Sequence, residues 1–294
     1  MQSELPVAKR FESTTDGKPT PEMLGFYQEN GFLILENFAS HAACDALKAR
    51  IAELVNAFDP ESVRSTFSTD DQSHAQDVYF KDSGDKIRFF FETGAFDSKG
   101  DLVKPKHQAL NKIGHALHDL DPEFDRFSRS GKLSNLAAAL GLKDPALVQS
   151  MVIMKQPFIG GEVGMHQDST FLYTTPMTTT GFWFALEDAD QSNGCLIGQA
   201  GGHKAGLLER FHYDGDDLVM EKTSDAAPQG TYEALEAPKG TLVVIHGLVP
   251  HSSAANTSAR SREAYALHMY DRTAEWAADN WLKRAPDMPV KGFT

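Results

Sequence analysis

The sequence predicts a mainly β protein with flanking α-helices, a β-sandwich or barrel whose helices pack on the outside. Three observations lead there. Helical periodicity is concentrated before Pro145, short strand-like runs bounded by Gly, Asn, Asp and Pro clusters follow it, and no internal repeat or low-complexity segment divides the 294 residues. A chain of this length hides about 75% of its unfolded surface on folding, so one large core needs no disulfide to hold it. Residues 20–294 are therefore expected to form a single domain.

Residues 1–19 are polar, show no apolar period and are expected as a flexible arm. Thr20 then offers an N-cap, Pro21 suits the first helical position, Met23, Phe26 and Tyr27 repeat at helical spacing, and Gly31 ends the run. Residues 32–35, Phe-Leu-Ile-Leu, read as a short buried strand. Ser40 caps a second helix running toward Pro60, on which Ala43, Leu47, Ile51 and Leu54 mark one buried stripe. Residues 61–77 are polar and aperiodic, a long surface loop of the kind that serves as a lid or binding wall.

Residues 85–92 form a strand with charges at one end and a core of three phenylalanines. Helices are expected at 109–118 and 132–140, the second stopped by Gly141. Strands then follow at 147–154, 182–186, 195–197, 241–245 and 264–269, rich in β-branched and aromatic residues.

Against 28 Lys and Arg stand 41 Asp and Glu, a net charge of −13, which works against nucleic acid and anionic membrane surfaces. Two cysteines, Cys44 and Cys195, are too few for a disulfide framework or a zinc ribbon and suit a reducing interior. No signal-like apolar stretch, targeting tripeptide or membrane-length run is present, so a cytoplasmic location with no membrane span is the expectation. Oligomeric state leaves no mark in the sequence.

Residues 160–168, Gly-Gly-Glu-Val-Gly-Met-His-Gln-Asp, lead through a glycine-rich bend into His-x-Asp. In an extended segment residues i and i+2 share a face, so His166 and Asp168 point into one cavity while Gln167 points away. His251, just past the strand 241–245 and Pro250, is placed to supply a third ligand, with His246 as its competitor. Two imidazoles and a carboxylate form the facial triad of non-haem Fe(II) oxygenases, which leaves positions open for a chelating cosubstrate and O2. Arg262 follows His251 closely, and its forked guanidinium is suited to a cosubstrate carboxylate.

With these residues assembled, the chain resembles the phytanoyl-CoA dioxygenase family of Fe(II)- and 2-oxoglutarate-dependent oxygenases, and within it the domain-containing protein subgroup. Further blocks carry the likeness: Asn30-Gly31 before residues 32–35, Gly-Asp-Lys-Ile-Arg-Phe-Phe-Phe-Glu at 84–92, Asn-Lys-Ile-Gly-His-Ala-Leu-His at 111–118, Gln149-Ser150-Met151 and Lys155-Gln156-Pro157. The resemblance implies a double-stranded β-helix, a cupin-like jelly roll. It also implies His166, Asp168 and His251 as iron ligands, and Arg262 as the salt-bridge partner of the distal 2-oxoglutarate carboxylate with Ser253 beside it. Lys112, Met151 and Trp183 match positions that line or contact the 2-oxoglutarate pocket; pattern alone reads Met151 and Trp183 as core and Lys112 as a solvated helix residue. One departure lies at 193–203, where many members carry Pro-Gly-Ser-His after Asn-Gly-Cys-Leu and this chain has Ile-Gly-Gln-Ala-Gly-Gly-His.

The activity so implied is hydroxylation of a small molecule with release of succinate and CO2. A CoA thioester would bring several phosphates to an acidic chain and would need a local basic patch; Lys81, Lys86 and Arg88 could supply one, but they could equally serve a small carboxylate or be solvated, and a smaller substrate is favoured. Two other classes use part of the pattern: a non-catalytic 2-oxoglutarate-binding or sensing protein, and a zinc hydrolase on the same His-His-Asp set, which leaves Arg262 without a task.

Overall fold

The computed structural model describes residues 4–63, 65–66 and 77–293, and its first strand departs from the sequence pattern. β1 (Arg10–Glu12) pairs in parallel with β2 (Phe32–Glu36), the Ala8 N–H donates to the Ala234 carbonyl at 2.9 Å, and Ala8 and Phe11 are buried. Within the segment expected as a flexible arm, residues 8–12 are thus tied down. An edge strand presents a row of unpaired backbone groups, and β1 satisfies those of β2; one phenylalanine in a polar stretch gives no period from which to read this.

The capping signals are met locally. In α1 (Pro21–Asn30) the Thr20 hydroxyl accepts from the Met23 N–H at 3.3 Å, and Gly31, at φ 80°, closes the helix. In α2 (His41–Ala57) the Ser40 hydroxyl accepts from the Ala43 N–H at 3.1 Å. Its buried line runs through Cys44, Leu47, Ile51 and Val55, with Ala43 and Leu54 at the margins of a stripe about 100° wide.

After α3 (Val78–Lys81) and β3 (Ile87–Phe91) the sequence expectation of a helix at 109–118 fails. The chain forms α4 (Lys106–Ala109), β4 (Leu110–His115) and α5 (Leu117–Leu120). Leu110, Ile113 and Leu117 have helical spacing, but so short an apolar run is ambiguous, and pairing of β4 with strands on both its sides decides it. Helices α6 (Pro122–Ser128) and α7 (Gly131–Ala139) follow. Most of the loop expected at 61–77 lies outside the described residues.

The second half is strand-rich, as read: β5 (Pro145–Lys155), β6 (Val163–His166), the short α8 (Asp168–Phe171), β7 (Thr174–Thr175), β8 (Thr180–Ala185) and β9 (Leu196–Gln199). Then come β10 (Glu209–Asp214), β11 (Asp217–Lys222), β12 (Tyr232–Leu235), β13 (Leu242–His246), β14 (His251–Ser253), β15 (Arg262–Asp271) and β16 (Glu275–Trp276). Eight strands form a major sheet in the order β1-β2-β13-β8-β15-β5-β4-β3, and four a minor sheet in the order β12-β9-β14-β6. The two make the double-stranded β-helix, with all pairings antiparallel except β1 with β2.

Alternation gives the major sheet two unlike faces. One packs Val152, Phe184, Tyr265 and Leu267 against Leu47 and Ile51 of α2, Phe124 of α6 and Leu133 and Leu136 of α7. The other faces the minor sheet: Phe32, Ile34, Trp183, Val243 and Ile245 meet Leu196 and Leu235. Between the sheets, beyond this second apolar layer, a cavity of about 340 Å³ opens.

Candidate functional site

β6 and β14 are adjacent strands of the minor sheet, and their register sets His166 opposite His251, with ring centroids 4.3 Å apart. Asp168 follows two residues after His166, at the start of α8. One ligand atom from each of the three lies within 4.8 Å of the others. The His166 Nδ1 faces the Gly164 carbonyl at 2.8 Å and the His251 Nδ1 faces the Val249 carbonyl at 3.0 Å. A carbonyl only accepts, so each Nδ1 carries the proton and each Nε2 presents its lone pair. Gln167 points away as expected: its amide donates to the Gly206 and Leu248 carbonyls at 2.9 and 2.7 Å and accepts from the Leu208 N–H at 2.9 Å. His246, the competing ligand, lies outside the cavity beside His203.

The major sheet holds the carboxylate from the other side. His268 Nε2 lies 3.3 Å from Asp168 Oδ1, closer than His251 at 3.6 Å or His166 at 3.9 Å. Gly181, the cross-strand partner of His268, leaves the room, since a Cβ there would stand 2.6 Å from Asp168 Oδ2. Burial works to raise the Asp168 carboxyl, but His268, His251 and His166 together outweigh it and hold the group below the ordinary carboxylate value. Burial, and then His251, push the His166 imidazole down to about 4, so at neutral pH it is a neutral donor. Sequence reasoning missed His268, although alternation along β15 from Arg262 puts 264, 266 and 268 on the same face.

The inner end of the cavity is built from cross-strand rows of the major sheet. Lys112 of β4 lies opposite Ile153 of β5, and Ile153 opposite Ala264 of β15. The next row aligns Gly114, Met151, Ala266 and Trp183, with the small Ala266 between the two large side chains. Arg262, 1% exposed, donates through Nε to the Gly194 carbonyl at 3.1 Å and sits 5.4 Å from the Trp183 ring centroid. That carbonyl belongs to the Asn193-Gly194 turn that leads into β9. Ser253 of β14 completes this wall.

Behind the wall, Lys155 donates to the Ala254 carbonyl at 2.9 Å and to that of Gly161, while the Gly161 N–H donates to Glu92 at 3.2 Å. The glycine-rich bend before β6 is therefore gripped at both its N–H and its C=O. Burial lowers the Arg262 guanidinium to about 10, which leaves it charged at neutral pH. Burial depresses the Lys112 ammonium well below its usual range, against the pull of Glu92.

These residues fit a divalent cation beside a bound anion. Two neutral imidazoles and a carboxylate are the donor set of a facial triad, Asp168 Oδ2 is buried with no hydrogen-bond partner, and so is Arg262 Nη1. Buried groups left in that state are costly unless a ligand completes them. Lys112, Met151, Trp183, Ser253 and Arg262 all border the one cavity that the triad opens into.

A family model described as phytanoyl-CoA dioxygenase (PhyH) matches residues 27–264. The chain is 46% identical over 270 residues to the "Phytanoyl-CoA dioxygenase" of Arabidopsis thaliana, covering 92% of this chain and 95% of that protein. It is 44% identical over 277 residues to "Phytanoyl-CoA dioxygenase domain-containing protein 1" of Danio rerio, covering 90% and 94%. Its fold is shared with the non-heme alpha ketoglutarate dependent carbocyclase SnoK from nogalamycin biosynthesis, at TM-score 0.65 and 19% identity over 96% of this chain and 97% of that one. The same fold appears in EctD from S. alaskensis with 2-oxoglutarate and 5-hydroxyectoine, at TM-score 0.61 and 16% identity over 93% and 84%.

Proposed function

The chain belongs to the phytanoyl-CoA dioxygenase family and is by class a 2-oxoglutarate-dependent non-haem iron dioxygenase, and from that premise we propose that it hydroxylates a small molecule with release of succinate and CO2. The observation that carries the proposal is the convergence of His166, Asp168 and His251 at one end of a cavity whose inner end holds the buried Arg262. Fe(II) held by the triad, with 2-oxoglutarate and O2, supplies an oxidant strong enough for an unactivated C–H bond.

The chain's own residues orient and shield. The Gly164 and Val249 carbonyls keep the two Nε2 lone pairs turned inward, and His268 steadies the carboxylate between them. Arg262, with Ser253 beside it, takes the distal carboxylate of 2-oxoglutarate; Lys112 lines the same pocket, and Met151 and Trp183 close it against water. A CoA thioester finds no phosphate site in the expected basic group. Lys86 is paired with Asp82 and Asp85, Arg88 with Asp82, and Lys81 donates to the Asp216 carbonyl at 3.0 Å; none of them borders the cavity.

The test is an anaerobic titration of 2-oxoglutarate into Fe(II)-loaded protein, then exposure to O2 and measurement of succinate, with Asp168→Ala and Arg262→Ala alongside. A visible charge-transfer band followed by succinate is expected in the wild type. A band without succinate would replace the enzyme with a 2-oxoglutarate sensor; a folded, metal-loaded protein that binds no 2-oxoglutarate would overturn the assignment.

A further inference from the structure

The cross-strand rows of the major sheet step outward from the 2-oxoglutarate end of the cavity. Beyond the row of Gly114, Met151, Ala266 and Trp183, the next on the same parity holds Gln149 of β5, His268 of β15 and Gly181 of β8. This row reaches the triad, because His268 stands 3.3 Å from Asp168 and Gly181 leaves room for that carboxylate. Gln149 is thus placed at the level of the metal ligands rather than of Arg262, and it borders the cavity.

The two adjacent polar residues of β5 are treated in opposite ways. Ser150 faces the helices, where its hydroxyl accepts from the His118 N–H at 3.1 Å and lies 2.7 Å from His118 Nδ1. Gln149, on the other parity, is 5% exposed, and its carboxamide makes no hydrogen bond among the described residues. His268 Nδ1 and Trp183 Nε1 nearby are sealed off, but both carboxamide atoms of Gln149 keep accessible surface, and in so buried a residue that surface is cavity wall. A polar group in this state is costly until something completes it, and this one can be reached.

The surroundings define what completes it. A carboxamide offers two donors and an acceptor without charge. Among the described residues the Lys and Arg that border the cavity are Lys112 and Arg262, both at the 2-oxoglutarate end, so an anionic group beside Gln149 would have no countercharge of its own. Elsewhere the wall is largely apolar: Trp281, from the segment after β16, stacks on Phe80 at 4.6 Å between centroids, Phe171 and Phe211 lie 5.5 Å apart, and Met220 borders the same space. In such a pocket a few placed polar groups fix the orientation of a guest. The cavity of about 340 Å³ also has to hold the cosubstrate, which limits that guest to a small molecule.

We infer that Gln149 is a specificity-determining residue, whose carboxamide pairs with an uncharged donor–acceptor group, an amide or lactam edge, on a small and otherwise apolar substrate. This rests on the function proposed above, because the cavity is read as the substrate chamber of that reaction.

Four probes of similar size separate the parts of the claim: benzamide carries the neutral donor–acceptor edge, benzoate a negative charge, benzylamine a positive charge that the exposed Glu209 at the cavity would attract, and toluene neither charge nor edge. Each is titrated into full-length protein loaded with Mn(II) and 2-oxoglutarate, and proton relaxation by the Mn(II) reads binding near the metal without turnover. Benzamide is expected to bind about tenfold more tightly than toluene and more tightly than either charged probe. Gln149→Leu, which keeps the bulk and removes the amide, is expected to erase that tenfold advantage and leave toluene binding unchanged. Gln149→Glu, which keeps the shape but can only accept, is expected to reverse the order of benzamide and benzylamine.

Benzoate or benzylamine binding to the wild type as tightly as benzamide, a benzamide affinity unchanged in Gln149→Leu, an order of preference that Gln149→Glu leaves as it was, or no relaxation of any probe would each overturn the inference while leaving the proposed function standing. Failure of Mn(II) to bind, or Mn(II) binding that survives Asp168→Ala, would instead remove the proposed function and this inference with it.

Discussion

The same strands of the major sheet make one face that is chemically complete and another that is not. On the helix side, Ile113, Val152, Tyr265 and Leu267 are fully buried, and the one polar group among them, the Tyr265 hydroxyl, meets Ser128 at 2.7 Å. On the opposite parity of the sheet's strands lie Lys112, Met151, Trp183, Arg262 and His268, and the last three each hold a buried polar atom with no partner. The cavity face is somewhat less buried, with Met151 only half-buried, but the larger difference is in polar satisfaction. A face built for stability closes its own hydrogen bonds, and a face built for binding leaves them for a ligand.

The contrast can be broken by exchanging effects between the faces. Leu267→Ala empties a fully buried site on the helix side and is expected to cost about 2–5 kcal/mol in urea unfolding, with 2-oxoglutarate affinity unchanged in the protein that remains folded. A loss of affinity as large as the loss of stability would mean the two faces are not separable.

Arg262→Gln, five positions earlier on the other parity of β15, is expected to do the reverse. It removes a charge-assisted carboxylate contact, so 2-oxoglutarate binding should weaken about a hundredfold in calorimetric titration. Thermal stability should hold or rise, because a buried unpaired charge goes with it. A lower Tm with intact 2-oxoglutarate binding would make Arg262 a structural residue.

His268→Leu tests whether the major sheet reaches the metal. Removing the donor behind a ligating carboxylate should weaken Mn(II) or Fe(II) binding about 10- to 100-fold in a competition titration, and His268→Gln, which restores an N–H, should recover most of it. Equal losses in both variants would point to packing alone.

The smallest effect sharpens the boundary at Glu263, beside Arg262 on the opposite parity. Burial, and then Glu187, raise its carboxyl from 4.5 to about 7. Between those values the folded protein keeps a proton that the unfolded chain has lost, so this group's contribution to stability falls as pH rises through that window. Glu263→Gln should therefore be more stable than the wild type near pH 8 and no more stable near pH 4. The same gain at both pH values would show that the carboxyl does not titrate there.

What could be read from the sequence follows from what spacing encodes. His166 and Asp168 sit at i and i+2 and their common face is visible in one line of text, and the caps at Thr20 and Ser40 are local chemistry. Lys112 was hidden because Leu110, Ile113 and Leu117 mimic a helix until pairing on both edges of β4 is known. His268 required knowing which parity of β15 faces inward. Trp281 gave no signal at all, since an irregular segment has no period and its meaning comes from a stack on Phe80, far away in the chain. β1 was missed for the same reason, because the partner that orders it lies elsewhere.

The position of β15 carries a kinetic consequence. It lies between β8 and β5 in the major sheet, pairing with both along most of its length, yet it spans Arg262–Asp271 and is the last long strand to leave the ribosome. Synthesis delivers the N-terminal part first, so β5 with its neighbours and β8 with its neighbours wait as separate pieces, each with an open edge, until the strand that joins them arrives. Such non-local closure is slow and exposes pairing edges to other chains. A ribosome stalled before residue 262 would thus release a chain that holds the complete metal triad and yet has no closed sheet to keep it in place.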